Sequence, residues 1–303
     1  MGEKAGTSES EASLFPSMED RNRPIQRAEA EEAINSLFRR ALTEGDPKAW
    51  MRGLLKLIAQ MSRYSVFNAK LIFLQRPGAV AVGTEFYWKR KHRTIRPGAM
   101  PIVILAPSGP IAILYEYEDT EGSQQLSLLD DEDHRGDKAI SEAFYRSFAS
   151  RVEAVGLTKK HPDGLIRVVD EGLGTARKGD VHHRRDRRDR YVIRINRIAS
   201  PRERVLTLIH ELGHIMCGHL GMHPLGWWPD RKSLGGLPEG MRHDIKEFEA
   251  EAVAWIIANR AGIASTAPDY LASKVAPLDN ERLNINCVLD AANRIEPLLE
   301  KRR

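Results

Sequence analysis

One apolar stretch in the second half of the chain fixes two histidines and a glutamate in a set pattern. His210, Glu211 and His214 form H-E-x-x-H within residues 206–220, where apolar side chains recur at helical spacing. Residues four apart share one face of an α-helix, so His210 and His214 can direct ring nitrogens at one tetrahedral Zn²⁺. Glu211 can take a proton from a metal-bound water. The pattern therefore predicts a zinc site that needs a third ligand from elsewhere.

A second apolar helix, predicted over residues 246–257, carries three acids in five positions. Glu247 lies 33 residues after His214, and Glu251 follows one helical turn later. We predict that Glu247 completes a His-His-Glu site and that Glu251 accepts the free ring N–H of a zinc-bound histidine. Glu249 is expected to face elsewhere, although the spacing leaves it open as the third ligand. The alternative is a solvated acidic helix beside a chance motif.

Residues 210–219, HELGHIMCGH, together with 247–254, EFEAEAVA, resemble the ImmA/IrrE-type metallopeptidases. The resemblance implies that the two motif histidines and Glu247 bind the metal and that Glu211 is the general base. Proteins of that group often have Asn or Asp where this chain has Glu251, which is a departure from their pattern.

Other side chains near the motif receive lesser predicted roles. His219 follows His214 by five residues, whereas a metzincin third ligand follows by six, so we predict a helix-end or cleft-rim position. Cys217 is predicted to be a buried apolar filler, with an approach to the zinc as the alternative. Three residues are candidates for stabilising an oxyanion, namely Tyr270, His223 and His243.

Positive charge is concentrated in residues 51–100. They hold ten Lys or Arg against one acid, a formal balance of +9, whereas the whole chain carries +4. Such a local excess attracts a polyanion. Interleaved aromatic residues could stack on unpaired bases: Tyr64, Phe67, Phe73, Phe86, Tyr87 and Trp88. The alternative is that the aromatic residues form a core and the charges a solvated face.

Several short motifs within residues 27–118 resemble the N-terminal domain of ArdC-type antirestriction proteins. They are Y-S-V-F-N at 64–68, Q-R-P at 75–77, Trp88, I-R-P-G at 95–98 and the apolar strand 102–107. That domain binds single-stranded DNA in the family, so the resemblance implies this partner. The predicted contact residues are Tyr64, Asn68, Arg76, Trp88, Lys89, Arg90, Lys91, Arg93 and Arg96. Such a domain ahead of an H-E-x-x-H domain is the ArdC arrangement.

The predicted fold class is α+β in two domains. We expect a disordered tail over 1–24, a small mixed α/β nucleic-acid-binding domain over 25–118, and an acidic linker over 119–137. A mainly helical, zincin-like metallopeptidase domain with a short sheet is expected over 138–303. Helices at 25–42 and around 54–61 are predicted to pack together in the first domain.

The second domain is predicted to begin with an amphipathic helix over 139–155 and a strand over 165–169, and to end with a helix over 280–299. The charged run 182–190 is predicted to be an exposed loop, with a second polyanion contact as the alternative. A strand over 191–196 precedes the motif helix, which begins after Ser200 as N-cap, and we expect this strand to form the upper wall of the cleft. The loop 221–242 is expected to border the cleft.

Composition limits the class of protein. No span of 18 or more apolar residues is present, the N-terminus lacks the apolar core of a signal peptide, and the only cysteines are Cys217 and Cys287. We therefore expect a cytoplasmic protein without a membrane partner.

Three functional hypotheses remain at this point. The first is a zinc metallo-endopeptidase anchored to single-stranded DNA, in mobile-element, antirestriction or stress-regulatory biology. The second is a DNA-binding antirestriction factor whose metal site is structural or inactive. The third is a regulatory protease that cleaves a transcriptional repressor, with the basic domain serving only to bring it to DNA.

Overall fold

The computed structural model describes residues 47–106, 109–122, 138–155, 165–184, 190–221, 231, 243–263 and 284–299. The predictions for residues 1–24 and 25–42 lie outside this set, as do Tyr270 and His223. Helices and small sheets alternate along the described residues, so the predicted α+β class is confirmed.

The described residues of the N-terminal half form three helices and five short strands. In chain order they are α1 (Pro47–Gln60), α2 (Val66–Gln75), β1 (Val82–Gly83), α3 (Glu85–Arg90), β2 (Arg93–Ile95), β3 (Ile102–Ala106), β4 (Gly109–Glu116) and β5 (Thr120–Gly122). Strands β1, β4 and β3 form an antiparallel sheet in that order, with Val82 opposite Glu116 and Ile102 opposite Leu114. The apolar strand predicted at 102–107 is thus present as β3.

The acidic segment begins inside this half and not in a linker. Strand β5 pairs with β2, with Arg93 opposite Gly122, and the 3-10 helix Tyr117–Asp119 leads into it. Glu116 is 3% exposed and accepts hydrogen bonds from the backbone N–H groups of Val80 and Glu118. The predicted linker boundary at 119 was therefore wrong, because these backbone and carboxylate groups are already paired within the first half. Residues 123–137 lie outside the described set.

In the C-terminal half, the part of the chain that the structure describes forms three strands and four helices. They are α4 (Glu142–Glu153), β6 (Ile166–Glu171), β7 (Gly179–Arg184), β8 (Arg190–Asn196), α5 (Pro201–Met216), α6 (His243–Arg260) and α7 (Ile285–Leu299). The predicted helices and strands of this half occur, with ends shifted by a few residues. Part of the charged run predicted to be a loop is strand: residues 182–184 belong to β7.

The sheet order of this half changes which strand borders the cleft. Strand β8 pairs with β6 in parallel on one side and with β7 in antiparallel on the other, giving the order β6-β8-β7. The predicted upper wall, residues 191–196, is thus the central strand and has no free edge. The edge strand beside α5 is β7, and Gly179 lies so close to α5 that an added Cβ would be 2.6 Å from Thr207.

Helices α5 and α6 pack closely because α5 has a glycine at their contact. A Cβ added at Gly213 would lie 3.0 Å from the Cα of Ala250. Helix α6 is buried on most sides, which is why its apolar residues show no clear stripe. Helix α7 packs on both α5 and α6, and no helix among the described residues is long and apolar enough to cross a membrane.

Helix packing joins the two halves, and a buried arginine adds polar contacts between them. Arg260, 4% exposed, donates from its guanidinium to the carbonyls at the end of α1 and the turn after it, and it also pairs with a glutamate of α7. The carbonyl acceptors are Ile58, Met61, Ser62 and Tyr64. A cation at a helix C-terminus satisfies carbonyls that have no partner within the helix. The first two helices are therefore fastened to the last two.

Candidate metal centre

Local sequence fixes the start of the motif helix. Ser200 caps α5 by accepting from the N–H of Glu203, whose carboxylate accepts from Ser200 in return, and Pro201 occupies the first turn. The predicted Ser200 N-cap is thus confirmed. From this start, α5 runs without interruption to Met216 and holds the two motif histidines on the face that points toward α6.

The motif histidines and Glu247 meet at one point. The Nε2 atoms of His210 and His214 are 3.1 Å apart, and the Glu247 carboxylate lies 3.5 Å from the first and 3.3 Å from the second. Two ligands at zinc distances and the tetrahedral angle are about 3.3 Å apart. The donor set and its spacing therefore fit a divalent metal such as zinc, which these three side chains would hold.

The groove next to these residues has a volume of about 600 Å³. One wall is the edge strand β7 with Lys178 before it, and the other is α6 with the side chains of Glu247 and Glu251. His243, a predicted oxyanion candidate, lines the groove with its ring 3.6 Å from Glu247. Asp180 also faces the groove, but it forms an ion pair with Arg194 that holds the pKa of Asp180 below its usual value against the effect of burial.

Glu211 lies beside the convergent ligands without taking part in their group. Its side chain lines the groove and is 7% exposed. Burial raises the pKa of Glu211 to about 7, so the carboxyl exchanges a proton near neutral pH. That is the property of a group that first accepts a proton and later returns it.

Electrostatics around the two histidines differ. Burial lowers the pKa of His210, but hydrogen bonds to Glu247 and Glu251 outweigh it and bring the value to about 9. Burial and the neighbouring His210 lower the pKa of His214, so its ring is neutral. The hydrogen bond with His210 lowers the pKa of Glu247.

The structure places the predicted secondary residue next to a ligand. A carboxylate oxygen of Glu251 lies 3.4 Å from Nδ1 of His210, on the ring side opposite Nε2. This is the position from which a carboxylate orients a metal-bound histidine.

Glu249 occupies a different environment from Glu247. Its side chain is fully buried, and its carboxylate contacts Arg231, His219 and the backbone N–H of Asn284. The open alternative that Glu249 is the third ligand is therefore not supported, because its oxygens are directed away from His210 and His214.

His219 lies just after the end of α5 and lines the groove, which agrees with the predicted helix-end or cleft-rim position, but its ring also has buried partners. Its residue is 2% exposed, with Nε2 2.9 Å from Glu249 and Nδ1 2.9 Å from Nδ1 of His214. Sequence spacing excluded a metzincin ligand but gave no partner for the ring, because Glu249 and Arg231 are 30 and 12 residues further along the chain. The one available signal was Glu249 itself, an acid on the apolar side of α6.

Cys217 is buried, as predicted, and is fully shielded from solvent. Its thiol contacts the backbone carbonyl of Cys287, and the Cys287 thiol contacts that of Cys217. Cys217, His219 and Glu249 also form a close group of possible ligands. This second group does not include the two motif histidines, so Cys217 stays a filler of the core around the first site.

Several predicted nucleic-acid contacts have structural roles instead. Trp88 is fully buried and donates from its indole to the carbonyl of Tyr115, so its ring offers no face to a base. Arg93 is 6% exposed and donates to Thr120. These two predictions are corrected, since an aromatic or basic residue in a basic stretch gives no sign in the sequence of whether it faces the core.

The motif residues of α2 hold the edge of the β-sheet. The side-chain amide of Asn68 both donates to and accepts from the backbone of Leu105, and Gln75 does the same with Val103. These bonds cover the free edge of β3, which would otherwise be open to another strand. The Asn68 amide is therefore already engaged within the fold.

The remaining predicted contacts are divided between structural and exposed positions. Tyr64 donates to the carbonyl of Val82, and Arg76 pairs with Asp119. The exposed ones are Lys89, Arg90 and Arg96, with Lys91 half-buried. Phe86, on the same short helix α3, is 70% exposed.

Comparisons with known proteins match part of the chain. Residues 166–225 match the family model Peptidase_M78, described as the IrrE N-terminal-like domain. Two crystal structures of the antirestriction protein ArdC from the R388 plasmid are similar to this chain, each at 12% sequence identity. The Mn(II)-bound one has a TM-score of 0.43 and covers 89% of this chain and 96% of that chain, and the metal-free one has 0.37 and covers 82% and 96%. No curated protein matches. The family match confirms the resemblance to IrrE-type peptidases over residues 166–225.

Proposed function

We propose that this protein is a zinc-dependent endopeptidase. The observation that carries the proposal is the convergence of His210, His214 and Glu247 at a groove that also holds Glu211. Two imidazoles, one carboxylate and an open position are the ligand set of zinc hydrolases, whereas a structural zinc site is closed by four protein ligands. A peptidase-type assignment for residues 166–225 agrees with this chemistry.

The residues of the metal centre have different roles in the proposed reaction. When bound, Zn²⁺ supplies a Lewis acid and lowers the pKa of a coordinated water toward about 7. Glu211 accepts the proton of the attacking water and donates it to the leaving amine, which suits a carboxyl whose pKa is raised to about 7 by burial. Glu251 holds the ring of His210.

The edge strand suggests how a substrate is held. Among the described residues β7 pairs only with β8, so the backbone of Asp180 and Val181 faces the groove beside α5. An extended peptide that adds to this edge gains main-chain hydrogen bonds along the groove.

We further propose that the N-terminal half binds single-stranded DNA. Support comes from the exposed cations Lys89 and Arg90, three and four residues after the exposed Phe86 on α3, and from the exposed Arg96. Cations that follow phosphates beside an aromatic face for stacking form a typical single-strand surface. Phe86 replaces Trp88 as the candidate stacking residue, because only Phe86 has an accessible ring.

Proteolysis is tested with the purified full chain, fluorescein-labelled casein and stoichiometric Zn²⁺, with and without a thirty-nucleotide oligo-dT. A parallel assay with Mn²⁺ is included because one similar ArdC structure is described as Mn(II)-bound. We expect fluorescence release that a chelator abolishes. A wild-type protein that binds zinc at one per chain and cleaves nothing under all these conditions would favour the DNA-binding antirestriction factor with an inactive metal site.

A further inference from the structure

We propose that His219 is a positioning residue for the metal ligand His214, fixed in one tautomer by Glu249 and Arg231. The proposal rests on the metal centre of the proposed function. The residues involved are buried and hydrogen-bonded in series from His214, beginning with His219 at the groove lining and continuing into the core.

When His214 binds a metal, the ring protons of His214 and His219 can be placed in only one way. A metal on Nε2 of His214 requires the ring proton on Nδ1, which lies 2.9 Å from Nδ1 of His219. The His219 Nδ1 must therefore accept, and its own proton is on Nε2. That Nε2–H points at a carboxylate oxygen of Glu249 2.9 Å away. Each ring thus donates from one nitrogen, and no donor faces another donor.

Glu249 is held as an acceptor by contacts on both oxygens. One oxygen accepts from Arg231 and from the backbone N–H of Asn284 at 2.8 and 2.9 Å. The other accepts from Arg231 and from His219. The Glu249 carboxylate and the Arg231 guanidinium are 0% and 3% exposed, so each buried charge is stabilised by the other. Such a pair keeps Glu249 ionised and directs the His219 proton to Nε2.

This series of hydrogen-bonded residues also links three helices to the metal centre. Arg231 donates to the carbonyl of Cys217 at the end of α5, Glu249 belongs to α6, and Asn284 immediately precedes α7. His214 is therefore anchored by buried neighbours, whereas the other histidine ligand faces Glu251, which is 32% exposed. The two ligands differ in how firmly their rings are held.

The same residues do not form a second cation site. Cys217, His219 and Glu249 are close enough to share an ion, but the Arg231 guanidinium already occupies both oxygens of Glu249. A cation at this place would lie against a buried positive charge, which is unfavourable. The described residues are therefore expected to hold one metal ion.

Two isosteric variants separate the two contacts of His219. In His219→Gln the amide nitrogen takes about the place of Nε2 and keeps the contact with Glu249, but no acceptor remains for His214. In His219→Asn the amide oxygen takes about the place of Nδ1 and keeps the acceptor, but the contact with Glu249 is lost. The full chain is used, with zinc affinity measured by competition with a chromophoric chelator and with melting temperature measured on the metal-free protein.

We expect His219→Gln to weaken zinc affinity by about 10- to 100-fold, the usual effect of removing an outer partner of a ligand, with a small change in melting temperature. The visible absorption bands of the Co²⁺-loaded variant should shift, because the ligand ring is no longer fixed. His219→Asn should keep affinity within about threefold of wild type and lower the melting temperature, because Glu249 loses a buried hydrogen bond.

Wild-type affinity and an unchanged Co²⁺ spectrum in His219→Gln would overturn the positioning role. So would losses of affinity in both variants that simply follow their losses of stability. Two zinc ions per wild-type chain would overturn it in favour of a second site. A wild-type chain that binds no zinc would instead remove the proposed function, which separates the two failures.

Discussion

Glu211 is the residue at which fold and chemistry can be separated most cleanly. It is buried at the groove but is not one of the convergent ligands, so Glu211→Gln keeps the shape of the side chain and removes only its basicity. We expect full zinc content, a melting temperature close to wild type and a loss of turnover by a factor of about 10² or more. Casein cleavage and metal analysis on the same sample measure this. Near wild-type cleavage would exclude Glu211 as the base.

Substitution of Glu247 and of Glu249 on α6 should affect different properties of the protein. Glu247 is partly exposed, so Glu247→Ala should lose zinc while the metal-free protein unfolds at nearly the wild-type urea concentration. Glu249→Ala leaves the Arg231 guanidinium buried without its partner, which costs about 3–5 kcal/mol of unfolding free energy. Urea unfolding of the metal-free proteins distinguishes them. A stable Glu249→Ala protein without zinc would mean that Glu249 is the ligand.

Zinc binding should release a proton from His210. In the metal-free protein the pKa of His210 is about 9, so its ring is protonated at pH 7, whereas a ligand must be neutral. About one proton should leave at pH 7, and affinity should rise about tenfold per pH unit until the pH reaches that pKa. Calorimetry in two buffers of different ionisation enthalpy counts the proton. Equal heats in both buffers would contradict the protonated state.

At the scale of elements, nucleic-acid binding is tested by substitutions in α3 and in the turn after β2. Reversal of Lys89, Arg90 and Arg96 to Glu should abolish binding of labelled oligo-dT and leave zinc content unchanged, because all three side chains are exposed and remote from the metal ligands in sequence. In wild type, log affinity should fall linearly with log salt, with a slope near −0.7 per phosphate neutralised. Fluorescence anisotropy with the full chain provides the measurement.

A matched variant controls for total charge in that experiment. Arg146, Arg167 and Arg294 are exposed residues of the C-terminal half, and their reversal to Glu changes the net charge by the same amount. We expect this variant to keep most of the affinity. If both variants bind equally, or if duplex DNA binds as well as oligo-dT, α3 is a solvated surface. Phe86→Ala should weaken binding alone, since stacking contributes about 1–3 kcal/mol per base.

Helices α5 and α6 were the elements most accessible to prediction. A serine cap, a proline in the first turn and ligands four residues apart are local signals, and they place His210 and His214 without knowledge of the fold. The order of the second sheet was not accessible, because a strand at the edge and one at the centre can share the same alternation. The contact between His219 and Glu249 spans two helices and depends on how Gly213 lets them approach.

The first half posed a different difficulty. Asn68 and Gln75 belong to motifs that predicted DNA contacts, yet their amides hold the edge of β3. A polar side chain at a recurring position has the same appearance in a sequence whether it binds a ligand or a backbone edge. Trp88 was ambiguous for the same reason, and only its burial decides the question.

At the scale of the whole molecule, we predict that Arg260 contributes to coupling the unfolding of the two halves. Its guanidinium satisfies carbonyls of Ile58, Met61, Ser62 and Tyr64 in the first half while pairing with Glu296 in the second. Two independent domains would unfold in two steps, whereas a buried contact of this kind couples them. We therefore expect a single urea transition for wild type. Hydrogen exchange measured in α1 and in α6 should give the same urea midpoint.

Removal of that contact should uncouple the halves. In Arg260→Met the apolar stem is kept, but the carbonyls at the end of α1 and the carboxylate of Glu296 lose their donor, each with a penalty of about 1–3 kcal/mol if it stays buried. We expect α1 and α2 to exchange at lower urea than α6, while zinc affinity measured in water falls little because Arg260 does not contact His210, His214 or Glu247. Arg294→Met, an exposed arginine on α7, is the control and should keep a single midpoint. If Arg260→Met also unfolds in one step at an unchanged midpoint, the halves are joined by their apolar packing and the guanidinium contributes nothing to their coupling.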